Sequence, residues 1–236
     1  ILCGTPQGGV LSGLFFNIYV NSIFNLLLSS ILRLFCDDMS LIASGTSKED
    51  LKINLEHDLQ LISKWLSLHY LKANYSKTQY VLFNGRKRFE AFIERSLELK
   101  MNDILIERVE HVKNVGLVVD EQLNFSNHIS KIKQRITPFV AKLFRIRRFI
   151  TEEAALKLYY AHVYSHLIFM NALWSVAPLY LIESLGVIQR KALRTVFKKD
   201  RLCHNHELFN ENLLPLSSIN IMHENIVLEN HNLMKN

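Results

Sequence analysis

Apolar and polar residues alternate in the first half of the chain in short runs that are typical of strands. The clearest pair, residues 32–35 and 39–42, flanks Cys36, Asp37 and Asp38. Two apolar runs around a short polar centre predict a β-hairpin. Later runs predict further short strands at residues 79–83, 97–100, 104–109 and 112–119. Of these, 97–100 and 104–109 form a second predicted hairpin around residues 101–103.

Apolar residues spaced three or four positions apart predict helices. Ser47 and Asp50 have the pattern of a capping box, and the leucine-rich stripe that follows them predicts a helix to about Tyr70. We interpret the aromatic and leucine residues of this stripe as core residues.

After Asp120 the helical pattern dominates, with predicted helices at 127–150, 152–174 and 179–199. Pro138 predicts a kink or break in the first, and Thr151 is a good N-cap for the second. The tail after residue 203 is more polar and has no clear pattern. Strands followed by long helices predict an α+β chain with two domains, at 1–122 and 123–236.

No residue from Gly4 to Leu32 is charged, so residues 14–32 have two interpretations, a membrane span or a buried amphipathic helix. Asn17, Asn21 and Asn25 recur every four positions and form a polar stripe that is costly in lipid. The pattern therefore favours the buried helix, and no membrane partner is expected.

The whole composition is that of a globular protein, because 49% of the residues are hydrophobic and 21% are charged. The net charge of +6 favours a polyanionic partner. Three cysteines are too few for a disulfide framework and fit a reducing compartment. Cys203, His204 and His206 are zinc-donor types, but they are too close in sequence for all of them to reach one ion, and no second cluster completes the set.

The positive charge concentrates in the helical half. Lys131, Lys133, Arg135, Lys142, Arg145, Arg147 and Arg148 form one group, and Arg190, Lys191, Arg194, Lys198, Lys199 and Arg201 form another. Each group has an ordinary interpretation as a solvated helix face. Two groups in one helical segment favour contact with a phosphate backbone.

Asp37 and Asp38 are the most informative acidic pair. On a straight strand neighbouring side chains point to opposite faces, so both carboxylates reach one site only at a tight turn. Such a pair would present oxygen ligands of the kind that Mg²⁺ accepts beside substrate phosphates. The alternative is a solvated surface turn, in which Asp is common.

Five segments in order resemble the reverse transcriptases of non-LTR retrotransposons, in particular the jockey-like branch. They are TPQGGVLS with LFFNIYVN (5–21), FCDD (35–38), Trp65 with LKANYSKT (71–78), VGLVVD and its continuation to Ile129, and ALW (172–174) with LGVIQRKALR (185–194). The resemblance covers nearly the whole chain. It implies the C-terminal part of a polymerase palm, an antiparallel sheet with packed helices, followed by an all-helical thumb.

The resemblance also implies an activity, RNA-directed DNA synthesis on an RNA template from deoxynucleoside triphosphates. Asp37 and Asp38 would hold two Mg²⁺ ions, with Mn²⁺ as a possible substitute. Gln7 and Gly8 would form a loop beside the incoming nucleotide and the template, and Lys77 would lie near the phosphates. The thumb residues implied to grip the backbone of an RNA–DNA duplex are Lys131, Lys133, Arg135, Arg145, Arg147, Arg148, Arg190, Lys191 and Arg194.

One departure from the family pattern bears on activity. The first catalytic aspartate of the family lies on a strand before the loop that contains Gln7, and only six residues precede Gln7 here. None of the later aspartates is a convincing replacement. We therefore expect a fragment of a longer polyprotein or a partial copy that is inactive by itself. The alternative function is a remnant that acts only as a nucleic-acid-binding or structural protein, and an unstable relic without function is a third hypothesis.

Overall fold

In the computed structural model, which describes residues 8–83, 97–210 and 213–233, with side chains as far as residue 228, the chain combines helices with small two-stranded sheets. This confirms the α+β class. Contacts divide the chain into two compact units, Ile1–Gly116 and Leu117–Asn236. The division falls at a turn where Val115 and Gly116 both have positive φ, 46° and 90°. Their assignment as palm and thumb stays a prediction.

In the described residues of the first unit there are two helices, α1 and α2, and short strands β1 to β7. Their bounds are α1 Ser12–Val20, β1 Ile31–Phe35, β2 Asp38–Ile42, α2 Lys48–Leu68, β3 Gln79–Tyr80, β4 Lys100–Met101, β5 Ile104–Leu105, β6 Glu107–Arg108 and β7 His111–Asn114. Single 3₁₀ turns cover Asn21–Asn25 and Tyr75–Lys77. The capping box of α2 is confirmed, because the Ser47 hydroxyl oxygen accepts the N–H of Asp50 at 3.0 Å.

Both predicted hairpins form. Strands β1 and β2 pair antiparallel, and so do β4 and β5 on either side of Asn102 and Asp103, which have positive φ as a tight hairpin turn requires. Strand β3 is shorter than predicted and runs parallel to β6. Residues 84 and 85, predicted to end that strand, lie outside the described residues.

The apolar segment at 14–32 is not one helix. Helix α1 ends at Val20, a 3₁₀ turn follows, and Ile31 already belongs to β1. The prediction of a buried helix is wrong for its outer face, because Leu14, Phe15 and Ile18 are each more than half exposed. No helix in the described part of the chain has the length and apolar character needed to span a membrane.

The second unit begins with β8, Leu117–Asp120, and is otherwise helical. Its helices are α3 Ser126–Ile146, α4 Glu152–Tyr159, α5 Ser165–Ile168, α6 Asn171–Trp174, α7 Leu179–Val196 and α8 Leu216–Leu233. Short 3₁₀ turns cover Arg147–Phe149 and Asn205–Glu207, and a π-helical turn covers Tyr160–Tyr164. The single strand predicted at residues 112–119 is therefore two strands, β7 and β8.

Three helix predictions need correction. Helix α3 continues through Pro138, whose ring lies on the exposed side of the helix, where water can satisfy the carbonyl left without a partner. The helix predicted at 152–174 is capped by Thr151 as expected, but it is interrupted at Met170, which has φ 50°. The tail without a pattern contains the long helix α8.

Each unit has its own hydrophobic core. In the first unit, Ile23 and Leu32 pack with Ile62 and Trp65 of α2. In the second, the inner face of α3 packs with Tyr159, Trp174 and the buried face of α7. The chain has two tryptophans, and each core contains one of them.

Candidate functional site

The tip of the β1–β2 hairpin brings Asp37 and Asp38 together. Phe35 pairs with Asp38 in the ladder, so Cys36 and Asp37 are the two turn residues. Of these two, Cys36 alone has a positive φ, 53°, which is the backbone pattern of a type II′ turn. Asp37 is thus a turn residue and Asp38 is the first residue of β2, and both are exposed at the same end of the hairpin.

Both carboxylates are free to accept a ligand. Asp37 and Asp38 are exposed, and within the described residues neither has a hydrogen-bond or ion-pair partner. Two adjacent anionic oxygen donors suit a hard divalent cation. In the part of the chain that the structure describes, however, no three acidic, His or Cys side chains lie close enough together to hold a metal ion. The hairpin therefore fits part of a metal site and does not complete one.

The hairpin is anchored at its base by the first core. Leu32 is buried against the cluster that contains Ile62 and Trp65, and Leu34 and Met39 pack partly against it. Strand alternation turns Arg33 and Phe35 outward, where both are exposed. The base is thus held in the core and the acidic tip is left in water.

A buried carboxylate on α2 holds the residues just before β1. Asp58 has no exposed surface, and its two oxygens accept the main-chain N–H groups of Ser29 at 3.1 Å and Ser30 at 2.8 Å. Burial raises the pKa of Asp58, but the hydrogen bonds from Ser30, Ser29 and His57 outweigh it, so the pKa lies below the usual value. Sequence reasoning missed this role. The signal is an aspartate at a core-facing position of the stripe Leu55, Leu59 and Ile62.

The other residues expected near substrate lie in turns of the same unit. Gly8 is exposed, with φ 81° in the turn before α1, and Gln7 lies outside the described residues. Lys77 ends the 3₁₀ turn Tyr75–Lys77, and its N–H donates to the Asn74 carbonyl at 3.0 Å. Its side chain is exposed.

Helix α3 presents a basic stripe in the second unit. Lys131, Arg135, Lys142 and Arg145 are all exposed and fall on one side of the helix by the 3.6-residue period. Its opposite side, Ile129, Ile132, Ile136, Val140 and Leu143, is buried. No acidic residue occurs between Glu121 and Glu152, so the stripe has no neighbouring negative charge on its own helix. Lys133 lies beside the buried side and is half-buried.

Arg147 has a structural role rather than a surface one. It is buried, and its guanidinium donates from Nε to the carbonyl of Val196 and from Nη1 to that of Ile150, both at 2.7 Å. Val196 ends α7, so the cation also faces the negative end of that helix dipole. Arg147 is therefore not available to bind a ligand. Its neighbour Arg148 is exposed and lies 4.5 Å from the ring centre of Phe149.

The two arginines of α7 are also engaged within the protein. Arg190 pairs with Glu183, and Arg194 donates to the Cys203 carbonyl at 3.2 Å. Lys191 is exposed on the same helix. After α7, Lys199 pairs with Glu207 at 3.1 Å. This group thus offers less free charge than its sequence indicates, and the stripe on α3 is the stronger candidate surface.

Sequence comparison relates much of the chain to known proteins. The sequence model of a family described as "Reverse transcriptase (RNA-dependent DNA polymerase)" matches residues 1–125, more than half of the chain. The chain belongs to the reverse transcriptase family. The matched region includes α1, the β1–β2 hairpin, α2 and the turn that carries Lys77.

Individual relatives extend the similarity into the second unit. A probable RNA-directed DNA polymerase from transposon X-element of Drosophila melanogaster is 23% identical over 203 residues, which is 83% of this chain and 22% of that protein. The polymerase from mobile element jockey of Drosophila funebris is 21% identical over 206 residues, 83% of this chain and 22% of that protein.

A Pol polyprotein from the type-1 retrotransposable element R1 2 of Nasonia vitripennis is 22% identical over 150 residues, 61% of this chain and 36% of that protein. These matches confirm the resemblance to non-LTR reverse transcriptases of the jockey-like kind. This chain corresponds to between about a fifth and a third of the length of these relatives. No solved structure matches.

Proposed function

We propose that this chain supplies the metal-binding hairpin of the palm and the basic helices of the thumb to the RNA-directed DNA polymerase of a non-LTR retrotransposon. The observation that carries the proposal is the pair Asp37 and Asp38, which are adjacent and exposed at the end of a tight hairpin and have no partner among the residues that the structure describes. Enzymes of this family generally use divalent metals. Mg²⁺ is the proposed ion, and Mn²⁺ is a suitable substitute.

Each side chain has a proposed part. Asp37 and Asp38 would hold the metal ions, which supply activation of the primer hydroxyl and stabilisation of charge on the leaving pyrophosphate. Gln7 and Gly8 would belong to the loop beside the nucleotide and template, where a glycine would let the ligand approach the backbone. The exposed ammonium of Lys77 attracts the triphosphate.

We further propose that the 236-residue chain does not polymerise by itself. Two carboxylates hold two divalent ions poorly, and no third acidic side chain lies beside them in the described ranges. Purified chain with RNA template, primer, deoxynucleotides and Mg²⁺ should give no extension. Extension by wild-type protein that disappears in the double variant Asp37→Asn, Asp38→Asn would contradict this proposal.

The proposed metal binding is tested by titrating the chain with Mn²⁺ and following the EPR signal of the free ion. We expect the double variant Asp37→Asn, Asp38→Asn to lose at least tenfold in affinity. Asp103→Asn is the matched control, because Asp103 is also an exposed turn residue of a two-residue hairpin. Equal Mn²⁺ affinity of the double variant and the wild type would reject the hairpin as a metal site.

A second candidate function, nucleic-acid binding without catalysis, is favoured by the basic stripe Lys131, Arg135, Lys142 and Arg145. Cations on one side of a helix can follow a phosphate backbone without reading its sequence. The partner proposed for this surface is an RNA–DNA duplex. This function survives the loss of Asp37 and Asp38, whereas polymerisation does not.

Two lysines of the second unit provide a controlled test of duplex binding. Lys142 is exposed and has no acidic partner in the described part of the chain, whereas Lys157 pairs with Glu153 at 2.6 Å. Lys142→Gln should weaken binding of an RNA–DNA duplex and reduce the slope of log affinity against log salt by about one counterion. Lys157→Gln should change the duplex affinity and its salt dependence much less. Equal effects of the two substitutions would reject the stripe as the binding surface.

A further inference from the structure

One face of α2 holds the segment that links α1 to the acidic hairpin. Asp58, Ile62, Trp65 and His69 are spaced by four, three and four residues, so they share one side of the helix and its C-terminal cap. At one end of this face Asp58 binds Ser29 and Ser30, and at the other end Trp65 and His69 contact Ser22. The two attachment points lie about 10 Å apart along the helix axis, by the rise of 1.5 Å per residue.

The attachment at Ser22 is an ordered chain of hydrogen bonds. Trp65 Nε1–H donates to the Ser22 hydroxyl at 3.2 Å, and the His69 ring stacks on Trp65 with 3.9 Å between ring centres. His69 Nδ1 lies 2.9 Å from the Trp65 carbonyl oxygen and therefore carries the proton. Nε2 is then the acceptor for the Ser22 hydroxyl at 3.3 Å. This end fixes the residues that follow α1.

The attachment at Asp58 fixes the residues that precede β1. Each carboxylate oxygen accepts one main-chain N–H, from Ser29 and from Ser30, and Ser30 is 9% exposed. Bonds from N–H groups to a charged carboxylate are about twice as strong as those between neutral groups. Ile31 begins β1 directly after Ser30, and the turn residues Cys36 and Asp37 follow at the other end of that strand. A shift of Ser30 is therefore passed along one short strand to the acidic tip.

We propose that Asp58 is a positioning residue of the polymerase site, which fixes the start of β1 and through it the place of Asp37 and Asp38. This inference rests on the proposed function of the hairpin. Asp58 itself is buried and cannot touch metal or substrate, so its effect is exerted through Ser29 and Ser30. Asp58 lies within the residues that match the family model, and the match by itself assigns it no role.

The test uses Asp58→Asn, which keeps the size of the side chain but removes the charge and one acceptor. Glu49→Gln is the matched control, because it removes one negative charge from an exposed position of the same helix. NMR should show the Ser29 and Ser30 amide signals of the wild type moving as acid protonates Asp58, with a midpoint below the usual value for Asp. The movement should be absent in Asp58→Asn and present in Glu49→Gln.

The consequence for the hairpin is measured by amide hydrogen exchange. Asp58→Asn should speed exchange in β1 and β2 at least tenfold more than in β4 and β5, a hairpin that also contacts α2. Equal acceleration in both hairpins would mean that the variant only loosens α2, and it would overturn the inference. If Asp58→Asn does not fold, Asp58→Glu is the second variant. It keeps the negative charge but displaces the carboxylate, so it tests the position of the carboxylate without removing it.

Mn²⁺ titration connects the hairpin to the proposed function. Asp58→Asn should lower the affinity of the Asp37–Asp38 site about tenfold, and Glu49→Gln should leave it unchanged. Wild-type affinity in folded Asp58→Asn would overturn the positioning role while leaving the metal site intact. If the wild type binds no Mn²⁺, the proposed function fails instead, and the difference in exchange between the two hairpins still decides whether Asp58 orders β1.

Discussion

The side-chain oxygen of Gln189 accepts the main-chain N–H of Leu216 at 2.9 Å and so ties the start of α8 to the middle of α7. The side-chain amide of the same residue lies 3.2 Å from the Tyr159 hydroxyl and donates to the Leu214 carbonyl at 3.0 Å. Gln189 has no exposed surface. One buried side chain therefore joins three segments of the second unit.

We expect Gln189→Leu to destabilise the second unit by about 2 kcal/mol or more, because the Leu216 N–H and the Leu214 carbonyl lose their partner in a buried place. Urea unfolding followed by Trp174 fluorescence in a Trp65→Phe background reports this unit alone. Gln134→Leu, the same change at an exposed position of α3, is the control and should cost less than about 0.5 kcal/mol. Equal losses in the two variants would show that the three hydrogen bonds contribute nothing.

Substitutions of Arg147 and Arg148 should separate an effect on stability from an effect on duplex binding. Arg147→Met removes the donors to the Val196 and Ile150 carbonyls and should lower the free energy of unfolding by about 2 kcal/mol, with little change in duplex affinity per folded molecule. Arg148→Met should leave stability within about 0.5 kcal/mol and weaken duplex binding. Urea unfolding and binding at two salt concentrations measure both effects. The reverse pattern would contradict the division of roles.

His128 should make the second unit sensitive to acid. Burial, and then the charges of Lys131 and Arg135, lower the pKa of His128. Its Nδ1 accepts the Val118 N–H at 3.3 Å, which a proton on that nitrogen would block.

Because the folded pKa of His128 is below the unfolded value of about 6.5, its stabilisation is complete above about pH 6.5. It is lost as pH falls toward the folded pKa, with a slope of up to about 1.4 kcal/mol per pH unit. His128→Asn keeps an acceptor near the Val118 N–H and should reduce this slope in urea unfolding series. His111→Gln, an exposed control, should retain it.

Much of the fold follows from local pattern. The hairpin at Asp37 and Asp38, the capping box at Ser47 and the N-cap at Thr151 each depend on residues close together in sequence, and each forms as predicted. The family also follows from short ordered motifs. These features need no knowledge of how distant segments pack.

The features that sequence reasoning missed depend on distant contacts. The stripe places Asp58 on the core side of its helix but does not identify its partners, Ser29 and Ser30, which lie 29 and 28 positions away. Arg147 sits in a run of cations, yet its partner carbonyl belongs to Val196. Helix α8 is amphipathic only weakly in sequence, and its start is fixed by Gln189. Charge and periodicity alone do not identify such tertiary partners.

Trp65 and Ser22 should be energetically coupled. A double-mutant cycle with Trp65→Phe and Ser22→Ala isolates the hydrogen bond from Trp65 Nε1 to the Ser22 hydroxyl, because the cavity left by the smaller ring cancels between the two arms. We expect a coupling of about 1 kcal/mol in the free energy of unfolding of the first unit, measured by circular dichroism. Trp174→Phe, whose indole donates instead to the Phe169 carbonyl at 2.9 Å, gives the control cycle with Ser22→Ala and should show no coupling. Equal coupling in the two cycles would mean that the bond does not hold the residues after α1 to α2.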